Sequence, residues 1–296
     1  MVTYNSANYL PALIDSLRAA TKHQSIRLIA VDNQSSDSTL GVLALHDDIV
    51  IIHSGGNVGY SAGINLGMRS AGNCDHLLIL NPDLTVAPDA IAKMIAATHE
   101  PRVGAVAPQV IDDNGTLYPS VRNEPSLLRC FFDSIIGPEM CSRLGLPRET
   151  DFRPDTYSEP HSIDWATGAA LLIPLETARL VGEWNESFFL YSEEVDYCRR
   201  IRNQGLCILY EPSAVVVHRV AGSGQSNDLL ALMAVNRIRY IEMNHGVVYS
   251  ILFRGIALLG YGLRSFESAH RRTFAIVANR RRWKTLPSRE DGSRTG

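Results

Sequence analysis

Over the first 110 residues, short apolar runs alternate with segments of helical period, the pattern of a parallel sheet covered by helices. This pattern predicts strands over 26–31, 49–53 and 76–80 and helices over 9–20, 38–45 and 62–71. Residues 1–3 form a further strand-like run, which is shorter than the about 5–6 residues of a typical buried strand. We therefore expect the first strand to begin upstream of Met1.

The periodicity weakens over 112–162, where six prolines predict a loop-rich excursion with one short helix near 127–136. Regular patterns then return as a strand over 169–173, helices over 175–181 and 193–203, and a strand pair or one long strand over 207–217. After residue 227 the pattern is helical. The sequence therefore predicts an α/β body followed by a helical extension.

The extension contains an apolar run over 247–263, which is marginal in length for a hydrocarbon core of ~30 Å and carries the charge of Arg254 near its centre. Downstream, basic residues surround Phe266, Phe274 and Trp283, a composition suited to a helix lying in a membrane interface. The alternative is a helix packed on the rest of the chain, because amphipathic helices mostly cover cores. We expect the extension to lie on a membrane and not to span it.

The net charge of −3 conceals an asymmetry between the two parts of the chain. From Arg237 to the end, 12 Lys and Arg stand against 4 Asp and Glu, a balance of +8, which leaves −11 for residues 1–236. An acidic body does not suit nucleic-acid binding, whereas a basic and partly apolar tail suits an anionic membrane surface. We therefore expect a membrane partner and no nucleic acid.

The five cysteines show no Cys-x-x-Cys spacing, and no signal peptide precedes them. A disulfide framework or a zinc knuckle is therefore not expected. Reduced thiols fit a cytoplasmic protein, and together with the basic tail they predict a peripheral location on the inner face of the cell membrane.

Polar residues follow three of the predicted strands: Thr3 to Asn5, then Asp32 and Asn33, then Asn81 to Asp83. In an open parallel sheet, the carboxyl ends of the strands form the crevice in which ligands bind. One such residue is usually a turn or cap residue, but three sets in register indicate a ligand site. A carboxylate at Asp83 would suit a hard divalent cation that also binds substrate phosphate, and a turn aspartate is the alternative.

A glycine-dense loop, residues 55–67, runs into the helix predicted over 62–71. Glycines let the backbone approach a ligand closely, and a helix amino terminus favours an anion. The loop contains neither the Gly-x-Gly-x-x-Gly fingerprint of dinucleotide-binding proteins nor a P-loop. A tight turn with close helix packing is the alternative interpretation.

Three carboxylates, Glu193, Glu194 and Asp196, open the helix predicted over 193–203, after an apolar and aromatic run. They favour the helix dipole, with Ser192 as a cap. Alternatively, a carboxylate beside apolar surface has a raised proton affinity, which suits a general base. His218 ends another apolar run, where it is either a structural histidine or a contact to metal or phosphate.

In their order along the chain, these motifs resemble the family 2 glycosyltransferases, especially the bacterial rhamnosyltransferase-like branch. The resemblance covers about residues 1–245. It rests on Val2-Thr3-Tyr4-Asn5, Val31-Asp32-Asn33, Asn57-Val58-Gly59-Tyr60 with Gly63 and Asn65, Leu80-Asn81-Pro82-Asp83, Trp165 with Gly168, Glu193-Glu194-Val195-Asp196, and His218.

The resemblance implies a GT-A fold, a Rossmann-like and mostly parallel central sheet flanked by helices. It further implies an inverting transferase with a nucleotide-sugar donor and Mg²⁺ or Mn²⁺. Residues 1–236 would be the catalytic domain, with a nucleotide-sugar half over about 1–110 and an acceptor and catalytic half over 111–236. Residues 237–296 would be a basic amphipathic helical tail.

By position, the resemblance also implies roles for single residues. Thr3, Asn5, Asp32 and Asn33 would contact the nucleoside, and Asn57, Gly59, Gly63 and Asn65 would shape the donor pocket. Asp83 matches the metal-binding end of the Asp-x-Asp motif, whose first position is Asn81 here, and His218 would complete the metal or diphosphate site. Glu194 matches the catalytic base, although the usual Glu-Asp pair reads Glu193-Glu194 and leaves Glu193 and Asp196 as competing assignments.

These expectations favour transfer of a sugar, with rhamnose preferred, from dTDP-L-rhamnose or a UDP-sugar to a lipid-linked or polysaccharide acceptor in cell-envelope glycan synthesis. A glycosidase with paired carboxylates is disfavoured, because hydrolysis needs an acid and a base flanking the bond. A nucleotide-dependent oxidoreductase and an inactive nucleotide-sugar binding protein remain as alternatives.

Overall fold

Three parallel strands form the amino-terminal sheet, in the order β1-β2-β3. A computed structural model describes residues 1–21, 24–219 and 227–288 of the chain. The three strands are β1 (Val2–Thr3), β2 (Leu28–Asp32) and β3 (Ile49–His53). Val2 pairs with Val31 and Thr3 with Asp32, so the polar ends of β1 and β2 lie side by side.

The second sheet is mixed and has the strand order β4-β10-β6-β11-β5, with β8 also paired to β11. Its strands are β4 (His76–Leu80), β5 (Leu84–Val86), β6 (Val103–Ile111), β8 (His161–Ile163), β10 (Ala170–Pro174) and β11 (Cys207–His218), and a separate two-stranded ladder joins β7 (Val121–Arg122) to β9 (Trp165–Ala166). Strand β11 is parallel to β6, whereas β10 is antiparallel to β4 and β5 is antiparallel to β11. This last pairing sets His218 opposite Leu84, next to Asp83.

Helices cover both sheets and continue into a carboxy-terminal layer. They are α1 (Leu10–Ala20), α2 (Thr39–Leu43), α3 (Tyr60–Arg69), α4 (Ala90–Ala97), α5 (Leu127–Ile135), α6 (Pro138–Arg143), α7 (Leu175–Val181), α8 (Glu193–Asn203), α9 (Asn227–Asn244), α10 (Val247–Leu263) and α11 (Ser268–Ala278), with 3-10 helices over Pro154–Tyr157 and Arg280–Thr285. The predictions for 49–53, 76–80, 175–181 and 193–203 are confirmed to the residue. Strand β5, helix α4 and strand β6 were not predicted.

The excursion over 112–162 is more regular than its composition predicts, since α6 and a 3-10 helix follow the expected helix α5. A partly buried carboxylate holds it in place. Glu124 bonds the guanidinium groups of Arg199 and Arg202 on α8 and the hydroxyl of Tyr240 on α9. The excursion is thereby tied to the helix that opens with the three carboxylates.

The carboxy-terminal helices share a hydrophobic core with the segment just before α8. Buried Phe188 and Val195 lie in one cluster with residues of α9, α10 and α11, among them Ile238, Phe253 and Val277. Position 236, where the sequence pattern divides body from tail, lies inside α9. The helical layer therefore supports the acidic segment directly.

Many charged side chains of the tail form hydrogen bonds or ion pairs within the fold. Arg254, which interrupts the apolar run, donates to the carbonyls of Val277 (2.7 Å) and Ala278 (2.7 Å) and so caps the end of α11. Arg272 pairs with Asp228 on α9, and the indole of Trp283 is buried beside Arg254. The expected last residues of the tail, 289–296, lie outside the described residues. Within the described ranges, no helix combines the length and apolarity needed to cross a membrane.

Candidate active site

A cavity of about 390 Å³ opens at the carboxyl ends of β1, β2 and β4. The structure brings six of the residues singled out in the sequence to its wall: Asn5, Asn33, Asn57, Gly59, Asn81 and Asp83. Tyr4, Tyr9, Tyr60 and Phe189 supply aromatic surface to the same wall. The crevice that the strand ends predict is therefore present, with side-chain amides and one carboxylate in its wall.

Asp32 lies behind this wall and organises it. The carboxylate is buried and accepts hydrogen bonds from the Thr3 hydroxyl (3.1 Å) and the Ser35 amide (3.0 Å). Its neighbour Asn33 donates to the Gly59 carbonyl (3.0 Å), whereas the buried Oδ1 of Asn33 has no partner among the described residues. Asn33 thus brings an unpaired acceptor to the cavity wall.

Asn5 has a left-handed backbone, with φ at 51°, and its side-chain oxygen accepts from the Ser36 amide (2.8 Å). This is the local hydrogen bonding typical of asparagine in turns. It fixes the loop after β2 against the end of β1. Asn5 therefore serves the turn and also borders the cavity.

The glycine-dense loop meets the segment before α8 at very short range. Gly59 has φ at 87°, and a Cβ there would lie 2.5 Å from the Phe189 carbonyl oxygen, which accepts from the Tyr60 amide (2.7 Å). Gly63 and Asn65 lie off the cavity: a Cβ on Gly63 would meet Val2, and buried Asn65 bonds the backbone of Trp184. Their described contacts serve packing, the alternative that the sequence left open.

Asp83 and His218 form a pair at the edge of the cavity. The Asp83 Oδ2 atom lies 3.0 Å from His218 Nε2, while Asp83 Oδ1 and His218 Nδ1 are buried without a partner among the described residues. No set of three metal-ligating side chains occurs within the described ranges. A divalent cation here would therefore take its remaining ligands from substrate oxygens and water, as Mg²⁺ usually does.

A left-handed turn joins the cavity wall, which ends at Leu190, to the acidic segment, whose three carboxylates do not line the cavity. Tyr191 and Ser192 have φ values of 69° and 72°, and Ser192 makes no side-chain capping bond to the described part of α8. Buried Asn236 of α9 donates to the carbonyls of Leu190 (2.8 Å) and Tyr191 (3.3 Å). Since left-handed backbone is unfavourable for these residues, this anchor from the helical layer maintains the turn.

The three carboxylates have different surroundings. Asp196 is buried and accepts from the Arg200 guanidinium (2.9 Å), and Glu193 is 1% exposed, with an oxygen that has no partner among the described residues. Glu194 is half-buried and its carboxylate lies against the backbone of Gly168. Burial raises the pKa of Glu193 well above its ordinary value, and it also raises the pKa of Glu194 and of Asp196. Of the three, Glu194 combines access to solvent with a raised pKa.

Tyr60, the first residue of α3, contacts the chain just before Asp83. The sequence alone gave it no role. Its hydroxyl donates to Asn81 Oδ1 (2.7 Å), and Asn81 lies two residues before Asp83. Burial raises the pKa of Tyr60 well above its ordinary value, and the charges of Glu194, Glu193 and Asp83 raise it further. The hydrogen bond ties the start of α3 to the residue that follows β4. An aromatic residue directly after Gly59, at the start of a helix, was the available signal.

Comparison with known proteins assigns the family. Residues 1–163, more than half of the chain, match the family model for glycosyl transferase family 2. The chain belongs to this family. As a family 2 glycosyltransferase it is an enzyme, which decides against the oxidoreductase considered from the sequence.

Relatives of this glycosyltransferase include rhamnosyltransferases. An N-acetylglucosaminyl-diphospho-decaprenol L-rhamnosyltransferase of Mycobacterium tuberculosis is 30% identical over 254 residues, covering 81% of this chain and 81% of the relative. The rhamnosyltransferase WbbL of Escherichia coli is 25% identical, covering 74% of this chain and 81% of the relative. The resemblance to the rhamnosyltransferase-like branch is therefore confirmed.

The fold of this glycosyltransferase is also confirmed. A crystal structure of GalNAc-T7 with UDP, GalNAc and Mn²⁺ superposes with a TM-score of 0.63 at 16% identity, covering 93% of this chain and 54% of the other. The GT-A architecture predicted from the motifs is thus present, with a parallel amino-terminal sheet, flanking helices and a carboxy-terminal helical region.

Gly168 provides a test of the position of Glu194 in this glycosyltransferase. A Cβ on Gly168 would lie 2.1 Å from Glu194 Oε1, so Gly168→Ala must displace the carboxylate. We expect kcat to fall about a hundredfold, since a displacement of ~1 Å has effects of this size, with donor affinity and Tm nearly unchanged. Gly41→Ala, where nothing lies within 4 Å, is the matched control. A near-normal kcat in Gly168→Ala would show that the position of the Glu194 carboxylate against Gly168 does not control the rate.

Glu193 predicts a pH-dependent stability. Burial raises the pKa of Glu193 in the folded state above the ordinary 4.5, so the folded protein binds this proton more tightly than the unfolded chain does. Proton binding therefore stabilises the fold at low pH, and this stabilisation is lost as pH rises from 4.5 through the raised pKa. We expect Glu193→Gln to raise Tm by at least about 2 °C at neutral pH, and the gain to vanish near pH 4. The exposed Glu176→Gln should leave the pH dependence of Tm unchanged. An identical pH dependence in Glu193→Gln and wild type would contradict this assignment.

Proposed function

We propose that this glycosyltransferase moves a sugar, with rhamnose preferred, from dTDP-L-rhamnose or a UDP-sugar to a lipid-linked or polysaccharide acceptor, with inversion at the anomeric carbon. The observation that carries the proposal is the cavity at the carboxyl ends of β1, β2 and β4, whose wall contains Asp83 and ends at Leu190, four positions before Glu194. Direct displacement of a nucleoside diphosphate needs a metal-binding group and a base, and we propose Asp83 and Glu194 for these roles.

The part of the cavity wall at the ends of β1 and β2 is proposed to bind the nucleoside. Asn5 and Asn33 border it, and Asn33 Oδ1 is a buried acceptor without a partner among the described residues. Thr3 and Asp32 would act from behind by fixing the end of β2. Asn57 and Gly59 would shape the donor pocket from the loop, with Asn81 held by the Tyr60 hydroxyl.

A divalent cation, Mg²⁺ or Mn²⁺, fits the Asp83–His218 pair because Asp83 Oδ1 is a buried carboxylate oxygen with no partner among the described residues. When bound, such a cation would offset the negative charge that develops on the leaving diphosphate. Asp83 would hold it, and His218 would orient Asp83 or contact the diphosphate. The crystal structure of GalNAc-T7 with UDP, GalNAc and Mn²⁺ supports this choice.

Glu194 is proposed as the general base. Its carboxylate would accept the proton of the acceptor hydroxyl while that oxygen bonds to the anomeric carbon on the face opposite the leaving diphosphate, so the configuration inverts. Burial raises the pKa of Glu194, which brings it closer to neutral pH, where a base is most effective. Asp196, paired to Arg200, and buried Glu193 are poorer candidates because neither is free to meet an acceptor.

The relatives and the tail support proposals for the acceptor and for the cellular location. The mycobacterial relative is named for a lipid-linked N-acetylglucosamine acceptor. We propose an acceptor of this class, a role in cell-envelope glycan synthesis, and a cytoplasmic protein bound peripherally to the anionic inner face of the cell membrane.

The proposal is tested by incubating the purified full chain with dTDP-L-rhamnose and a panel of UDP-sugars, with Mn²⁺ or Mg²⁺ and a lipid-linked N-acetylglucosaminyl diphosphate. We expect release of nucleoside diphosphate that needs both metal and acceptor, and a product of inverted anomeric configuration by NMR. Donor binding without transfer across a broad acceptor panel would instead support an inactive nucleotide-sugar binding protein.

A further inference from the structure

Helix α10 exposes a row of large apolar side chains. Val247, Val248, Ile251, Leu252 and Leu259 are between 48% and 76% exposed. With Leu263 they occupy one face of a helix about 25 Å long, and no charged side chain lies between them on that face. The opposite face, including Phe253 and Ala257, is buried in the helical core. Monomeric soluble proteins rarely expose apolar surface of this extent without a partner.

Helix α5 extends this surface. The Tyr249 hydroxyl near the start of α10 accepts from the Leu127 amide at the start of α5, and Arg264 after α10 donates to the Ser134 carbonyl near the end of α5. The two helices therefore run side by side in the same direction. Like α10, α5 leaves apolar side chains exposed, namely Leu128, Phe131 and Ile135, and α6 adds Met140 and Leu144. We call the exposed residues of α5, α6 and α10 the apolar face.

Basic residues accompany the apolar face. Between residues 247 and 288 the chain has eight Lys and Arg and one carboxylate, Glu267. Arg281, Arg282 and Lys284 are exposed, and none pairs with a carboxylate among the described residues. They lie on the 3-10 helix that packs against α11, the helix whose end Arg254 of α10 caps. A bilayer with anionic headgroups would bury the apolar side chains and attract the free cations at the same time. This combination of features matches a bilayer better than a protein surface.

We propose that the apolar face docks this enzyme on an anionic bilayer surface, with α10 lying in the headgroup region. This differs from the sequence-based expectation, in which the basic residues around Phe274 and Trp283 face the lipid, because Trp283 is buried and much of the charge is paired within the fold. The same helical layer holds the turn before Glu194 through Asn236. The benefit of such docking rests on the proposed function, the use of a lipid-linked acceptor.

The test is co-sedimentation of the full chain with phosphatidylcholine vesicles with and without phosphatidylglycerol. We expect binding that needs phosphatidylglycerol and weakens with salt, and that falls at least about tenfold in Ile251→Glu/Leu259→Glu. Leu45→Glu/Leu180→Glu changes two equally exposed leucines elsewhere and should bind as wild type does. Arg281→Gln/Arg282→Gln/Lys284→Gln should lose the preference for phosphatidylglycerol.

Equal binding of Ile251→Glu/Leu259→Glu and wild type would overturn the proposal, as would binding indifferent to lipid charge. A wild-type dimer that the same variant makes monomeric, without vesicle binding, would assign the face to a second copy instead. The proposed function is tested separately with a water-soluble, short-chain acceptor, on which the variant should keep its activity while losing it on acceptor embedded in vesicles. Vesicle binding by a wild type inactive with every acceptor would refute the function and leave the docking intact.

Discussion

Glu194→Gln is expected to lower kcat by at least about a hundredfold, the lower scale of general-base contributions, while the Kd for the donor stays nearly unchanged. Glutamine keeps the shape that fits against Gly168 but cannot accept the proton of the acceptor hydroxyl. Donor affinity should survive, because the cavity wall that would bind nucleotide is built from other residues, among them Asn33 and Asn57. The measurement is nucleoside diphosphate release under saturating acceptor, with donor affinity from calorimetry.

The pH profile gives this prediction a second readout. Burial raises the pKa of Glu194 above the ordinary 4.5, so in wild type the base is protonated and inactive at acidic pH, and the rate should rise with pH through the raised pKa. That acidic limb should be absent from the residual activity of Glu194→Gln. Asp196→Asn is the matched control, and we expect it to affect stability through Arg200 more than kcat. If Asp196→Asn loses the acidic limb and Glu194→Gln keeps it, the base lies two positions further along α8.

Asp83→Ala is expected to reduce transfer at least about a hundredfold and to abolish the metal dependence of donor binding, since a cation on the leaving diphosphate contributes several kcal/mol of charge stabilisation. The fold should survive, because Asp83 is half-buried at the edge of the sheet and its Oδ1 has no partner among the described residues to lose. The readouts are donor binding with and without Mn²⁺, and far-UV circular dichroism.

His218→Ala separates the two parts of the pair. Because His218 Nε2 lies against Asp83 Oδ2, its loss should weaken metal-dependent donor binding less than the loss of Asp83 does. Asp113→Ala, which removes an exposed carboxylate paired with Arg219, is a control for charge alone. Donor binding in Asp83→Ala that responds to Mn²⁺ as wild type does would move the metal away from Asp83.

The limits of the sequence appear where contacts are remote in the chain. The sequence pattern predicts no strand or helix over 84–111. Strand β5 is only three residues long, and β6 is buried almost throughout, so it lacks the alternation of a half-exposed strand. The antiparallel pairing of β5 with β11 joins residues about 130 positions apart and could not be deduced from local pattern. Asn65 likewise looked like a pocket residue, yet its partner is Trp184.

By itself, the sequence determined the alternation of strands and helices, the polar ends of the first strands, the acidic opening of α8 and the motifs of family 2 glycosyltransferases. These features are local, because periodicity and turn chemistry act over a few residues. Only the tertiary structure decided which residues meet: Tyr60 with Asn81, Glu194 with Gly168, and Asn236 with the turn before α8. It also decided that the tail packs against the body and turns an apolar face outwards. The physical reason is that burial and pairing between distant segments separate chemically similar side chains, as they do for Glu193, Glu194 and Asp196.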